Sequence, residues 1–400
     1  DMTSLFTNYS AYTTPFAAYA PNAMFGFVSR KHDIREEWTT LKDVAAFDNN
    51  VTVTCEQGFN VDYFMMGFPM AKDVKVTVTS DKILMLLPEE PMMPRLADYR
   101  VGVRPFMQAD FSDPLRGLER VFYTRRWRLE PTDKAAHERG EAVEPVKPIV
   151  FYLDNLFPEE WKQPIRTGVL RWNRAFEKIG FKNVVQVLDF PTNDPDFDPD
   201  NLKYSCIRYV PSSTQNAMGP SWVDPMTGEI LNASILVYND IVKMLNYWRF
   251  VQTAQIDPTV RNKDLPEALI NESLAYVIAH EIGHCLGLMH NMSASASIPV
   301  DSLRSASFTQ KYGTTSSIMD YARFNYVAQP GDKGVKLTPP ELGVYDYYVI
   351  KWLYSPVPEA KDMWEEAEIT QKWLDEKAGD PLYRYGRQQL MFRIDPSALE

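Results

Sequence analysis

One segment of the chain reads HEIGHCLGLMH, and its spacing constrains the fold more than any other feature. His280 and His284 are four residues apart, so on a helix they share one face and can bind one metal ion. Glu281 lies beside the first histidine and can take a proton from a water molecule at that ion. Gly287 allows the helix to end in a left-handed conformation, after which the chain turns and brings His290 to the same ion. Three protein ligands with one open position predict a catalytic zinc site, because structural zinc sites are closed by four ligands.

The histidines of the chain are concentrated in this segment. The chain contains 5 His, of which only His32 and His137 lie elsewhere. The added glycine and third histidine make the pattern far more specific than two histidines alone. Two alternatives are a helix whose histidines only satisfy hydrogen bonds, and a zinc site without catalysis. The presence of Glu281 argues against the second alternative.

A second group of residues follows farther along the chain, at 317–321, with the sequence SIMDY. It resembles the Met-turn of the metzincin metallopeptidases, where a tight turn places a methionine below the three histidines as an apolar floor. This resemblance assigns Met319 to the floor, whereas plain core packing is the alternative for a methionine. Tyr321 either donates a hydrogen bond to the tetrahedral intermediate or packs as a buried aromatic residue beside the turn.

Length and charge limit the classes of protein that the chain can belong to. A chain of 400 residues is too long for one typical core, so we expect two domains. The net charge of −11 argues against a nucleic-acid partner and disfavours binding to anionic membranes. No run of about 18 apolar residues occurs, so we expect no transmembrane segment.

Residues 48–130 have the alternating pattern of β-strands. Two strands are predicted at 74–78 and 83–87, and the polar residues 80–82 between them predict a hairpin turn. We therefore expect a small, mostly antiparallel β domain. A charged, proline-containing linker is predicted to follow it at 131–148.

From residue 149 the pattern changes to alternating strands and helices. Short apolar runs predict buried strands at 149–153, 184–190 and 205–210. One long helix, closed by Gly180, is predicted between the first two. An edge hairpin is predicted at 218–237. The active-site helix is predicted to begin near Asp264, with Glu267 completing a capping box.

Four strings of residues resemble a bacterial group of zinc-dependent metallopeptidases described as Met-zincin. They lie, in this order, at 126–131, 172–177, 217–221 and 317–329. The resemblance covers about 120–355 well and is weaker over the first hundred residues and the last forty. It implies a protein or peptide substrate and a secreted, periplasmic or cell-envelope location.

The fold that this resemblance implies is α+β. It is a metzincin-like zinc peptidase domain with a mixed twisted sheet, an antiparallel edge strand, an active-site helix and a Met-turn, preceded by a small, mostly antiparallel β domain. We expect a β-rich domain with its linker at 1–145 and the catalytic domain at 146–355. A helical or irregular extension is expected at 356–400.

The predicted reaction is hydrolysis of peptide bonds by a zinc metallopeptidase, with endopeptidase action favoured. The zinc ion is held by the three histidines of the motif, and Glu281 acts as the base. The substrate is expected to lie extended along the edge strand near Ala217, Met218 and Gly219. Arg323 either selects an acidic side chain or is a solvated or ion-paired arginine.

Two other functions stay open. One is an adhesion or glycan-binding envelope protein with a secondary or latent zinc domain. Tyr99, Phe106 and Trp127 would then form a binding face, although packing in a strand core is the simpler role. The other makes the N-terminal region an inhibitory prodomain, for which Cys55 lacks the flanking residues of a cysteine switch.

Overall fold

The computed structural model describes residues 28–387, apart from positions 113, 114, 116, 195, 196, 263, 339 and 340. The described residues fall into two compact units. The first contains the residues up to Pro88 together with Asp200–Lys203, and the second contains Glu89–Pro199 and the residues from Tyr204 onward. The functional division predicted at residues 145 and 355 stays a prediction, because a compact unit need not coincide with a functional domain.

The first unit is a three-stranded antiparallel sheet. Its strands are β1 (Val28–Ala46), β2 (Asn50–Met65) and β3 (Phe68–Met85), with β2 in the centre. Alternate side chains of a strand point to opposite faces, and β2 buries Val53, Cys55, Phe59 and Val61. The N-terminal β-sheet domain expected from the sequence is therefore present.

The turn between β2 and β3 does not lie where the sequence pattern placed it. The prediction of a turn at 80–82 is wrong, because these residues continue β3 and pair with β2. Their polar side chains have partners across the strands, since the Thr54 hydroxyl donates to the Asp81 carboxylate at 2.6 Å. The turn lies instead at Met66 and Gly67, with φ of 51° and 83°. Two consecutive positive φ values are typical of a type I′ hairpin.

The second unit is built on a five-stranded sheet. The strands of this unit, in chain order, are β4 (Pro105–Asp110), β5 (Glu119–Thr124), β6 (Ile149–Leu153), β7 (Val185–Asp189), β8 (Ser205–Val210), β9 (Ala217–Met218), β10 (Ser221–Val223), β11 (Ile230–Ala233) and β12 (Ile235–Tyr238). The sheet has the order β7-β6-β8-β12-β9, in which β9 is antiparallel to β12 at one edge and the other neighbours are parallel. Parallel strands are buried on both faces, which is why their apolar runs were visible in the sequence. The predicted hairpin is also present, as β10 and β11.

Helices pack around this sheet. In chain order they are α1 (Lys134–Glu138), α2 (Glu159–Leu170), α3 (Asn173–Glu177), α4 (Ile241–Thr253), α5 (Glu267–Cys285), α6 (Val300–Leu303), α7 (Ala306–Tyr312), α8 (Val344–Tyr354) and α9 (Met363–Asp375). The predicted single helix before Gly180 is in fact α2 and α3, and the side chain of Asn173 at the start of α3 bonds both backbone groups of Val185. None of the helices in the described ranges is long and apolar enough to cross a bilayer.

Helix α5 lies in the core of this unit and carries the first two histidines of the motif. It crosses α2 at close range, since a Cβ at Gly168 would lie 2.6 Å from the carbonyl oxygen of Ala275. The predicted start near Asp264 is wrong, because the helix begins directly after Pro266 and has no side-chain cap. A proline disfavours helical backbone in the preceding residue, which excludes Leu265 from the helix.

Candidate metal centre

Three histidine side chains converge at the end of α5 and the turn after it. His280 and His284 are one helical turn apart on α5, and His290 follows the helix. Ring nitrogens of the three residues lie within 4.8 Å of one another. The Nε2 atoms of His284 and His290 are 3.1 Å apart. The structure therefore brings together the three residues that the sequence spacing singled out, and no other such group of potential ligands occurs in the described part of the chain.

Hydrogen bonds fix which nitrogen of two rings can bind a metal. Nδ1 of His280 lies 2.8 Å from the carbonyl oxygen of Ile318, and Nδ1 of His284 lies 2.9 Å from that of Leu288. A carbonyl oxygen only accepts, so each Nδ1 carries the proton and each Nε2 keeps its lone pair. Burial lowers the pKa of His280 to about 4 and the pKa of His284 well below its ordinary value. Both rings are therefore neutral at pH 7, as metal ligands must be.

This set of ligands fits a zinc ion. Three imidazole nitrogens are the protein ligands of one class of catalytic zinc site. Zinc-binding histidines commonly donate their second nitrogen to a carbonyl or carboxylate oxygen, which orients the ring. His280 and His284 both make this bond. The cluster is therefore consistent with zinc binding.

Glu281 is the carboxylate that accompanies the three histidines. It is only 9% exposed, and burial raises its pKa to about 8. A carboxylate in poorly solvated surroundings is a stronger base than one in water. The pKa of Tyr321 is raised mainly by burial of its phenol, and the negative charge of Glu281 is the second cause. The chemistry available to Glu281 is therefore proton transfer.

Gly287 ends the helical segment and starts the turn toward His290. Its φ is +90°, a backbone conformation that residues other than glycine rarely adopt. A Cβ at this position would also overlap the backbone oxygen of Arg125. Conformation and space therefore both require glycine here.

Met319 packs against α5 at the level of the histidines. Its side chain is 1% exposed, and a Cβ on Gly283 would overlap its sulfur. Gly283 directly precedes His284, so the missing side chain of this glycine leaves space for Met319 beside the histidines. The N–H of Asn291, next to His290, donates to the Met319 carbonyl at 3.0 Å. Met319 thus contacts both parts of the motif.

Tyr321 lies over the histidine cluster. Its ring centroid is 4.4 Å from that of His290 and 5.7 Å from that of His280. The side chain is 46% exposed. It is therefore not the buried aromatic residue of the second alternative, and its side chain is partly open to solvent beside the histidines.

The edge strand β9 lies directly against α5. Met218 is half-exposed, and Ala217 is buried. A Cβ at Gly219 would lie 2.9 Å from the Glu281 carbonyl oxygen and 3.1 Å from the Cys285 sulfur. Glycine thus allows the backbone that continues β9 to approach the helix turn that carries Glu281.

Arg323 lies two residues beyond Tyr321, with a positive φ of 52°. Its guanidinium carbon is 3.8 Å from the ring centroid of Trp248 and 5.6 Å from that of Tyr321. The Nε atom is buried and has no hydrogen-bond partner among the residues that the structure describes. Within the described residues Arg323 forms no salt bridge, and the choice between a solvated or ion-paired arginine and one that selects an acidic side chain stays a prediction.

Sequence reasoning missed Asp346, which anchors the segment that carries Met319. This carboxylate on α8 is fully buried. It accepts from the Ser317 hydroxyl at 2.7 Å and from the N–H groups of Ile318 and Gly343, both at 2.8 Å. Burial raises the pKa of Asp346 to about 7 against the opposing effect of these bonds. The available signal was a single acidic residue in a helix composed mostly of apolar and aromatic residues.

Asn291 is a second residue that the sequence did not reveal. It is fully buried, and its amide donates to the Arg384 carbonyl at 3.0 Å and accepts from the Gly386 N–H at 2.9 Å. The Met292 N–H donates to the Gly386 carbonyl at 2.7 Å. The segment 384–386 is thereby fixed beside His290, although it lies in the predicted C-terminal extension.

Comparisons with known proteins agree with this geometry. Residues 262–400 match a family model described as Met-zincin, and residues 1–132 match one described as a domain of unknown function (DUF5117). Neither the curated proteins nor the solved structures gave a match. The Met-zincin match contains all three histidines and extends through the last forty residues, where the sequence motifs had indicated a weaker resemblance. Over residues 262–400, about a third of its length, the chain is therefore similar to the Met-zincin family.

Proposed function

We propose that the chain is a zinc-dependent metallopeptidase that cleaves peptide bonds within a protein or peptide substrate. The observation that carries this proposal is the convergence of His280, His284 and His290 within 4.8 Å. Glu281 follows the first of these ligands, and the segment lies inside the Met-zincin match. This combination of three neutral imidazoles and one poorly solvated carboxylate is suited to metal-assisted hydrolysis.

In the proposed site the three histidines hold the zinc ion. When bound, zinc supplies Lewis acidity, which lowers the pKa of a water molecule and polarises the scissile carbonyl. Glu281 takes a proton from the attacking water as its oxygen bonds to the carbonyl carbon. The same carboxyl group gives the proton to the amine nitrogen as the C–N bond breaks.

Two further residues support the reaction in this proposal. The phenol of Tyr321 donates a hydrogen bond to the carbonyl oxygen as that oxygen gains negative charge. Its half-exposed position over His290 supports this role. Met319 forms the apolar floor of a Met-turn, a role supported by its packing against Gly283.

The substrate is proposed to lie extended along β9. Among the strands that the structure describes, β9 pairs only with β12 in this sheet, and an edge strand offers unpaired backbone groups to an extended peptide. Ala217, Met218 and Gly219 would then bind the substrate backbone. The close approach of Gly219 to the backbone carbonyl of Glu281 supports this placement, because it sets the end of the edge strand beside the helical turn that carries the base.

The test is digestion of a mixed library of peptides and denatured proteins, read by mass spectrometry. The wild type, Glu281→Gln and Glu267→Gln would be loaded with zinc and compared. Glu267 is a matched control because it is an exposed carboxylate at the other end of the same helix. We expect cleavage by the wild type and Glu267→Gln. Glu281→Gln should bind zinc but cleave at least about 100-fold more slowly, the scale of general-base catalysis.

Equal cleavage by the wild type and Glu281→Gln would refute the proposed role of the glutamate. Absence of cleavage in all three proteins would refute the peptidase and favour the adhesion or glycan-binding function. Fractionation of the native cells would test the secreted, periplasmic or envelope location that the family resemblance supports.

A further inference from the structure

One cationic side chain beside the histidine cluster has a buried Nε atom with no hydrogen-bond acceptor among the described residues. Arg323 is half-buried between Trp248 and Tyr321, and its Nε is buried without a partner. A guanidinium carries five N–H donors, and buried donors without acceptors destabilise a protein. Stacking on the Trp248 ring holds the group in place but gives the buried Nε donor no acceptor.

The neighbouring Arg249 provides a comparison, because it is an arginine whose side chain is buried and hydrogen-bonded within the protein. Its side chain is 1% exposed and stacks on Phe324. Its Nη2 donates to Glu272 at 2.6 Å and to Thr338 at 2.7 Å. The Nε group donates to Ser273 at 3.3 Å. Both Nε and Nη2 of Arg249 are thus bonded within the protein, whereas Arg323 is half-exposed and pairs with no carboxylate among the described residues.

The backbone at Arg323 is also held in a rare conformation. Its φ of +52° is unfavourable for a side chain of this size. Residues held in such regions cluster at ligand clamps and active sites, where surrounding contacts enforce them. The conformation and the missing acceptor are independent observations, and both indicate that Arg323 serves a ligand.

The location of Arg323 indicates which ligand this is. Its guanidinium carbon is 5.6 Å from the Tyr321 ring, which in turn lies 4.4 Å from the ring of His290. A single aromatic ring therefore separates the cation from the cluster. An extended peptide advances about 3.3–3.6 Å per residue, so a group bound by Arg323 lies within about three residues of the cleaved bond.

We propose that Arg323 binds a carboxylate of the substrate, and that this peptidase selects peptides with a carboxylate within about three residues of the scissile bond. The inference rests on the proposed peptidase function and names its substrate class. A planar guanidinium binds a carboxylate through two parallel hydrogen bonds. The carboxylate comes from an Asp or Glu side chain, or from the free C-terminus of a peptide cut near its end.

The experiment uses one peptide cleaved in the library and a series of neutral counterparts. In one arm each Glu or Asp within three residues of the cleaved bond is replaced by its amide, and in the other arm the terminal carboxylate is amidated. The proteins compared are the wild type, Arg323→Gln, Arg323→Lys and Arg304→Gln. Arg304 is the control because its guanidinium pairs with Asp332 at 2.8 Å, outside the cluster.

We expect the wild type to cleave the carboxylate peptide about 10- to 100-fold better than its amide, in kcat/KM, the value of one charge-assisted pair. Arg323→Gln should abolish this preference, Arg323→Lys should restore part of it, and Arg304→Gln should keep it. The arm that shows the effect identifies the source of the carboxylate. Equal cleavage of all peptides by the wild type would overturn the inference, even if Arg323→Gln failed to fold.

A uniform loss with Arg323→Gln, on carboxylate and amide peptides alike, would also overturn it and assign Arg323 to the developing oxyanion. Binding of Glu- or Asp-containing library peptides and of their amide counterparts to zinc-loaded Glu281→Gln, followed by fluorescence anisotropy, needs no cleaved peptide and therefore separates this inference from the proposed function. Tighter binding of carboxylate peptides without any cleavage by the wild type would support the subsite while refuting the peptidase. Equal binding of both series would refute the subsite.

Discussion

Replacement of Gly287 by alanine tests the physical link between the end of α5 and the position of His290. At φ of +90° an alanine adopts left-handed backbone, which costs about 1–2 kcal/mol. Its Cβ would also overlap the backbone oxygen of Arg125, and overpacking of this kind costs a further 1–3 kcal/mol or so. We therefore expect Gly287→Ala to lower the free energy of unfolding by about 2–5 kcal/mol.

Gly140 provides the matched control. Its φ is +83°, and an added Cβ would meet no described atom within 4 Å. Gly140→Ala should therefore show only the backbone cost of about 1–2 kcal/mol. Urea denaturation of the zinc-free proteins measures this difference, and competition with a chelator measures zinc affinity. We expect Gly287→Ala to bind zinc at least about tenfold more weakly, since it displaces the turn that leads to His290. Equal stability losses and equal zinc affinities in the two variants would refute this reasoning.

Three further predictions concern the support of the site. Asp346→Ala leaves three buried donors without an acceptor, so it should lower the free energy of unfolding measured in urea by about 2–5 kcal/mol, partly offset by removal of a buried charge. The pKa of Asp346 in the folded protein, about 7, lies above its ordinary value. The stability of the wild type relative to Asp346→Asn should therefore fall as the pH rises from about 4 to 7. Asn291→Ala releases the segment 384–386 from His290 and should weaken zinc binding about tenfold in a chelator competition, whereas an unchanged affinity would exclude a positioning role. Zinc at about 100 times its dissociation constant should stabilise the fold by about 2.7 kcal/mol, so a chelator should lower the calorimetric midpoint of the wild type and leave that of His284→Ala unchanged.

The histidine cluster could be predicted from the sequence because the residues that form it lie close together in the chain. His280, Glu281 and His284 lie on one helix, and the helical repeat alone sets their spacing. Gly287 and His290 lie in the short segment that directly follows His284, so no long-range contact was needed to assign them to the same site. The buried parallel strands were visible for a similar reason, since burial on both faces leaves a continuous apolar run.

The residues that hold the cluster in place were not predictable in this way. Asp346 lies 29 residues from its partner Ser317, and Asn291 lies 93 residues from Arg384. Each looks like an ordinary polar residue until the fold brings its partner close. The hairpin turn wrongly predicted at 80–82 has a related cause. Polar residues in a run of apolar ones indicated a turn, but in the structure these residues pair with β2 across the sheet.

The most direct test of the account is the rate of cleavage as a function of zinc bound. Zinc-free wild type would be titrated with zinc while hydrolysis of one identified peptide bond is followed by mass spectrometry. We expect no hydrolysis before zinc is added and a rate that saturates at one zinc per chain. In the same titration His290→Ala should fail to saturate at that ratio, and Glu281→Gln should bind the zinc without restoring the rate. Hydrolysis in the absence of metal, or one bound zinc with no hydrolysis of any peptide, would contradict the account.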